Sequence, residues 1–352
     1  MNDTKRFFTD CILTWNRLHN SRTMPWKGEK NPYRIWLSEI ILQQTRVEQG
    51  WPYYERFIGA YPTVDKLAQA PEEEVFRLWQ GLGYYARCKN MLAAARMISS
   101  THKNQFPKTY EEIAALKGVG AYTAAAIASF AFNLPHAVLD GNVYRVLARY
   151  FGIDTPIDST AGKKLFTALA NEVLPKDQAG AYNQAIMDFG AVVCKPQLPL
   201  CSSCLLAPRC EAFQKGLTDL VPVKSKKLKI KKRYFHYLLL EQKGRVFIRK
   251  RTGKDIWQNL HEFFLLETSA PATDAALQQS AGFQSLLGHL DYKIVDSTAE
   301  IKQQLTHQTI YARFIRLQVP LAFNAPDGYQ LVTEKQLQEL AFPKIIVDYL
   351  QR

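Results

Sequence analysis

Apolar residues recur at helical spacing through most of the first 216 positions, in segments of roughly 10–18 residues set apart by proline and glycine. Residues 32–46 show the pattern well. Asn31 stands before them as a cap, and Pro32 falls in the first turn, where the missing N–H is not needed. Thr109 and Glu112 have capping-box spacing and predict another helix start. Helices are also expected over about 179–193, over Ala121–Phe132 and over Val143–Tyr150. The pattern changes after Gly216. Tyr234–Gln242 and Arg245–Arg251 read as strands joined by Lys243-Gly244 in a hairpin. Glu262–Glu267 and Thr309–Pro320 are further strand candidates, and Gln336–Leu340 and Pro343–Leu350 read as helices. The expected division is a helical domain over 1–222, a linker over 223–233 and a smaller α+β domain over 234–352.

Composition narrows the partner. A net charge of +13 favours a polyanion, nucleic acid before anionic membrane. Seven of the ten residues from Lys224 to Arg233 are basic and none is acidic, which suits either a linker lying against phosphates or a solvated tether. Met1–Asp10 lacks the apolar core of a signal peptide, and no apolar run reaches transmembrane length, so an intracellular protein with no membrane partner is expected. Six cysteines are too few for a disulfide scaffold.

Four of those cysteines, Cys194, Cys201, Cys204 and Cys210, form C-x6-C-x2-C-x5-C. Structural zinc usually shows two close pairs, and here there is one, so the spacing favours a four-iron cubane over zinc. Lys195 and Arg209 lie inside this loop and could be presented to DNA; the plainer reading is a staple without DNA contact. Leu116-Lys117-Gly118-Val119-Gly120 lies between two helical stretches. Gly118 would allow a positive φ, Gly120 would let a phosphate approach, and the amides of the following first turn would point at it. That is the logic of a helix–hairpin–helix grip on one DNA strand. Glu39 falls in a segment from Ile35 to Leu42 in which six of eight residues are apolar. Burial there would raise its pKa towards neutrality, as a general acid requires, unless it simply bonds a neighbouring helix end. Asp140 precedes the helix at Val143 and reads either as a plain N-cap or as a carboxylate kept ionised by amides beside a developing cation.

Together these residues resemble the adenine DNA glycosylases of the MutY family, within the helix–hairpin–helix, iron–sulfur superfamily that includes endonuclease III. Met24-Pro25-Trp26, Ser38-Glu39, Leu42-Gln43-Gln44-Thr45, Gly81-Leu82-Gly83-Tyr84-Tyr85-Ala86-Arg87, Leu139-Asp140-Gly141-Asn142-Val143, Asn183-Gln184-Ala185, the glycine hairpin and the four cysteines carry the match. It is nearly continuous over residues 5–222 and weaker beyond 234. The resemblance implies a two-lobed helical glycosylase domain holding a [4Fe-4S] cluster on the four cysteines, followed by a MutT/Nudix-like domain that senses 8-oxoguanine. It implies removal of adenine mispaired with 8-oxoguanine or guanine, after base flipping from double-stranded DNA. Glu39 would protonate adenine, Asp140 would stabilise the sugar cation, and Asn142 would position the site. Arg22, Trp26, Leu42 and Gln184 match the adenine pocket. Gln43, Gln44 and Tyr84 match residues at the DNA stack, and Lys117, Gly118 and Gly120 form the hairpin.

Position 122 holds tyrosine where lyase relatives carry a nucleophilic lysine, which implies a monofunctional glycosylase with Tyr122 lining the pocket. In the second domain residues 268–283 contain one acid, Asp274, so the metal-binding glutamates of true MutT hydrolases are missing. The recognition loop reads Leu305-Thr306-His307, with Thr306 and His307 facing 8-oxoguanine and leucine in place of the usual aromatic. A monomer in the bacterial cytoplasm, held at the nucleoid through DNA, is the expected state. The alternatives are an endonuclease III-like glycosylase/lyase and a non-enzymatic DNA-binding iron–sulfur protein.

Overall fold

The computed structural model describes residues 2–225 and 230–352, and the chain divides into two compact units. The first comprises Met1–Gln69 and Asn90–Lys227, the second Ala70–Lys89 and Leu228–Arg352. Against the expected division, the short segment Ala70–Lys89 therefore packs with the second unit. The reason is visible in its side chains: Lys250 pairs with Glu73, Asn259 donates to Glu72, and the Tyr85 hydroxyl donates to the Phe342 carbonyl. The basic linker expected over 223–233 falls partly on residues 226–229, which lie outside the described residues. Its end, Lys231–Arg233, is the start of a strand. Arg233 is buried there between Asp255 and Glu267, at 2.8 and 2.7 Å, rather than free for phosphate.

The first unit is helical. Its framework for the site is α1 (Asp3–Leu18), α2 (Pro32–Leu42), α3 (Tyr110–Ala114), α4 (Ala121–Phe132), α5 (Gly141–Phe151) and α6 (Ala179–Val192). The Asn31 side chain accepts from the Tyr33 and Arg34 amides and starts α2, whose residues from Ile35 to Ile41 are all buried. The helix ends at Leu42 rather than at 46. The apolar run stops there, Gln43 turns extended and Gln44 adopts φ 57°, in the left-handed region. Thr109 and Glu112 form the expected capping box at α3. The alanines of α4 admit α6 at close range: a Cβ on Gly180 would stand 2.6 Å from the Ser129 carbonyl oxygen. Phe8, Ile12, Leu147, Phe166, Tyr182 and Phe189 fill the core below, each side chain of this size contributing about 1.5–3 kcal/mol by leaving water.

The second unit is a mixed sheet with helices. Its strands are β1 (Lys231–Gln242), β2 (Arg245–Lys250), β3 (His261–Glu262), β4 (Phe264–Thr268), β5 (Lys293–Ser297), β6 (Ile301–Gln304), β7 (Gln308–Gln318) and β8 (Tyr329–Val332). The main order is β3-β2-β1-β7-β5, with β4 on β1, β6 on β7 and β8 on β2. β1 and β7 run parallel, while the other pairs are antiparallel. The β1–β2 hairpin turns at Lys243 and Gly244 with φ 50° and 69°, as a two-residue turn of matching twist requires. Both faces of β1 are covered. Leu238 and Leu240 pack with Leu277, Phe283 and Leu287, and on the other face Tyr237 stacks on Phe314, which stacks on Tyr349. Phe263 interrupts the strand expected over 262–267, dividing it into β3 and β4.

Candidate active site

One cavity of about 670 Å³ in the first unit collects residues from across the helical framework. Glu39 and Leu42 come from α2, Tyr122 from α4, Asn142 from α5, and Gln184 from α6. Arg22, Trp26, Gln43, Gln44 and Asp140 come from the segments between helices. All ten were singled out in the sequence, and the fold brings them to one place. Trp26 is buried and meets Tyr54 edge-on at 5.3 Å, so its ring is held as a fixed wall. The left-handed φ of Gln44 is uncommon for a residue with a Cβ, and it places that side chain on the cavity rim.

The two carboxylates are in different surroundings. Glu39 is 6 % exposed, and burial raises it from its ordinary 4.5 to about 7. The charge of Asp140 adds to the rise, and the Tyr122 hydroxyl, which donates to Glu39, opposes it. Asp140 caps α5: its Oδ1 accepts from the Val143 amide at 2.8 Å and its Oδ2 from Asn142 Nδ2 at 2.8 Å. Burial nevertheless outweighs these donors, and its net shift is upward. The amides therefore limit the rise instead of pulling Asp140 below the usual carboxylate range. Tyr122 is held well above its ordinary value, first by burial and then by the two carboxylates, so it remains a neutral phenol.

Two buried charges that the sequence reading missed orient these groups. Asp188, fully buried on α6, accepts from Arg22 Nη1 (2.8 Å), Asn20 Nδ2 (2.9 Å) and Gln184 Nε2 (3.0 Å), with Lys27 Nζ at 3.2 Å. It therefore fixes both Arg22 and Gln184. Its only sequence signal was its position one helical turn after Gln184. Arg145 on α5 donates to Asn142 Oδ1 (2.8 Å) and to the carbonyls of Gly141 (3.2 Å), Gly190 (2.6 Å) and Cys194 (2.7 Å). It thus ties Asn142 to the cysteine loop. Gly190 is a glycine for the same reason: a Cβ there would stand 2.7 Å from the Cβ of Asn142.

Cys194, Cys201, Cys204 and Cys210 are free thiols lining one small pocket with Phe189, Leu206 and Phe213. Burial and the neighbouring thiols raise Cys204 to about 11 and push Cys201 and Cys210 up. Arg149 Nη1 lies 3.5 Å from Cys194 Sγ. Four gathered thiols, three of them pushed towards the neutral form, suit a shared cationic centre that would hold all four as thiolates. Among the described residues, no group of three or more His, Cys, Asp or Glu side chains has the geometry of a single-ion site. Arg209 departs from the expectation of a cation held out for DNA. It pairs with Asp3 at 2.6 Å and lies over the Phe7 ring at 4.4 Å.

The remaining predicted residues lie elsewhere. Lys117, Gly118 and Gly120 are exposed on the α3–α4 turn. Gly118 takes φ 78°, where a Cβ would also meet Asn90 at 2.6 Å, and a Cβ on Gly120 would meet nothing within 4 Å, leaving its backbone open to a ligand. Tyr84, Thr306 and His307 line a separate cavity of about 470 Å³ within the second unit, along with Trp257 and Gln258. The Tyr84 and Thr306 hydroxyls are in contact, and Tyr84 has φ 49°.

Residues 37–173 match the family described as HhH-GPD superfamily base excision DNA repair protein, and residues 236–352 match the NUDIX domain. The chain is 35% identical to an adenine DNA glycosylase of Buchnera aphidicola subsp. Baizongia pistaciae, over 88% of this chain and 85% of that one. It is 39% identical to the human adenine DNA glycosylase over 59% of this chain and 40% of that one. Among solved structures, a thermostable thymine-DNA glycosylase superposes with a TM-score of 0.57 and 28% identity, covering 61% of this chain and 98% of that chain. Endonuclease III in a non-covalent DNA complex superposes at 0.52 with 22% identity, over 60% and 98% of the two chains, and shows the shared fold.

Proposed function

The chain belongs to the adenine DNA glycosylases, enzymes of base excision repair, and we propose that it is a monofunctional glycosylase hydrolysing adenine opposite 8-oxoguanine or guanine in duplex DNA. The observation that supports this reading best is that a carboxyl group near pKa 7 and a second, helix-capping carboxylate share one cavity walled by Trp26 and Leu42. That division of labour between two carboxylates is the one glycosidic cleavage uses.

In this reading the adenine is flipped from the stack and enters the cavity beside Trp26. Arg22 and Gln184, held by Asp188, present donors and acceptors to its polar edge. Glu39 gives its proton to adenine N7, which makes the base a neutral leaving group. As the bond from C1′ to N9 lengthens, Asp140 faces the cation growing on the sugar, with Asn142 fixing its orientation. Tyr122 steadies Glu39, and as a phenol it forms no imine, so the strand stays intact. Lys117, Gly118 and Gly120 hold a backbone phosphate, while Gln43, Gln44 and Tyr84 engage the stack. Thr306 and His307 read 8-oxoguanine. Cys194, Cys201, Cys204 and Cys210 would hold a [4Fe-4S] cluster, which when bound fixes the loop between α6 and the following turn.

The second unit binds a base without hydrolysing nucleotides, because residues 268–283 carry one acid, Asp274, in place of the metal-binding glutamates of MutT hydrolases. A single-turnover assay tests the whole reading. Duplexes with adenine opposite 8-oxoguanine and opposite thymine are compared, each with and without alkali. Breaks only after alkali, and only with 8-oxoguanine, are expected. Breaks without alkali would move the protein to the lyases, and no adenine release from a folded, DNA-binding protein would reject the enzyme.

A further inference from the structure

Glu39 borders two cavities. Besides the large one, a second of about 270 Å³ is lined by Glu39, Trp26 and Gln184 together with Asn16, Lys27–Lys30, Ser38 and Ala181. The helices show how the two are arranged. On α2 the large cavity takes Glu39, Leu42 and the residues after them, while the second takes Ile35, Ser38 and Glu39. On α6 the large cavity takes Gln184 and Met187, and the second takes Gly180, Ala181 and Gln184. On α4 the corresponding residues are Tyr122 and Phe130, at opposite ends of the helix. The cavities therefore lie end to end along the helices, with Glu39, Trp26 and Gln184 as the partition. The second cavity has exposed residues at its rim, Gly28, Lys30 and Ala181, and polar groups along its wall.

Resting on the glycosylase reading above, we propose that this rear cavity is the water entrance of the reaction. A flipped nucleotide fills the front cavity, and the duplex covers its mouth, yet hydrolysis consumes one water per turnover. The C1′–N9 bond breaks with its electron pair going to adenine, and the proton of Glu39 goes to the base. Water oxygen bonds to C1′, and the water's proton returns to the Glu39 carboxylate, so atoms and charge balance without another reactant. Glu39 alone faces both the base and the rear cavity with a group able to take that proton. At about 30 Å³ each, several waters fit in 270 Å³, and the wall offers them polar partners.

The test is to close the rear mouth without touching the front. Ala181→Phe places bulk at an exposed rim position, and Lys30→Trp does so from the other side, so failure of either variant to fold leaves the second. Leu165→Phe adds bulk at an exposed position lining neither cavity. Each protein is measured for single-turnover adenine release and for affinity to a duplex carrying a non-cleavable 2′-fluorinated adenosine. Methanol is also offered, to compete with water for C1′. The expected result is a fivefold or greater fall in release for both plugged variants, a smaller methyl-glycoside fraction, duplex affinity within twofold, and no change for Leu165→Phe. Unchanged release in a folded plugged variant overturns the proposal. So does a loss of release that tracks a loss of duplex affinity, since it would place the effect in the front cavity. Wild-type protein that releases no adenine would instead overturn the glycosylase reading.

Discussion

Replacing Glu39 with glutamine should make the folded protein more stable at neutral pH while abolishing adenine release. Burial raises Glu39 from 4.5 to about 7, so the folded state resists its ionisation. Below pH 4.5 both folded and unfolded chains carry the proton, and the group adds no pH-dependent term. As pH rises from 4.5, the unfolded chain ionises while the folded one keeps its proton. Wild-type stability then falls by about 1.36 kcal/mol per pH unit until about pH 7, where the folded group also ionises. The full loss is about 3 kcal/mol, reached above pH 7. Glutamine has no such titration, and its amide oxygen can still accept from Tyr122. Urea unfolding of Glu39→Gln and wild type, followed by tryptophan fluorescence from pH 4 to pH 8, checks this. The two curves should meet near pH 4 and separate by about 3 kcal/mol at pH 8, with the variant more stable. Titrating groups that do not interact with Glu39 cancel in the difference. Parallel curves across the range would refute the reasoning, because Glu39 would then not have a raised pKa in the folded state. The same shift predicts that wild-type single-turnover release falls as pH rises through about 7, where Glu39 loses the proton that the proposed reaction has it donate.

Three further substitutions probe the supporting shell. Asp188→Asn removes the buried charge facing Arg22 and Lys27 and should cost about 3–5 kcal/mol in thermal or urea stability, with weaker adenine-analogue binding. Gly190→Ala drives a Cβ against Asn142 and should lower the single-turnover rate at least tenfold while leaving duplex affinity within twofold; unchanged rates would show that Asn142 can move without consequence. Thr306→Ala removes the hydroxyl that meets Tyr84 and should reduce the rate preference for 8-oxoguanine over guanine by about tenfold, the worth of one net hydrogen bond, measured as the ratio of the two single-turnover rates.

What could be read from the sequence was what local rules control. The cap at Asn31, the capping box at Thr109, the turn at Lys243-Gly244 and the positive φ at Gly118 each depend on a few adjacent residues, and each is present in the structure. The raised pKa of Glu39 was legible too, because six apolar neighbours in eight leave a helix little exposed surface. Asp188, Arg145 and Gly190 were not legible. Their partners lie at Arg22, at Cys194 and at Asn142, and nothing in the flanking residues announces contacts of that span. The attachment of Ala70–Lys89 to the second unit depends in the same way on Lys250, Asn259 and Phe342, more than a hundred residues away. The small helices Asp274–Gln278 and Ala281–Leu287 were not expected either.

The hidden residues also explain why the bundle can bury so many charges without uniform cost. A buried ion is tolerated when its hydrogen-bonding capacity is met, and otherwise it moves towards its neutral form. Arg145 meets four oxygen acceptors, and Asp188 is surrounded by Asn20, Arg22, Lys27 and Gln184. Both are thereby fixed as charged anchors, one beneath Asn142 and one beneath Arg22. Glu39 is buried and also faces the charge of Asp140, with the Tyr122 hydroxyl only partly offsetting them, and it holds its proton to about pH 7. One framework of helices therefore holds a proton on Glu39 to about pH 7 while surrounding Arg145 and Asp188 with hydrogen-bond partners. The difference lies in how far hydrogen-bond partners offset burial at each side chain. Adding a donor at Glu39 would lower its pKa, stabilise the fold at neutral pH and slow the reaction.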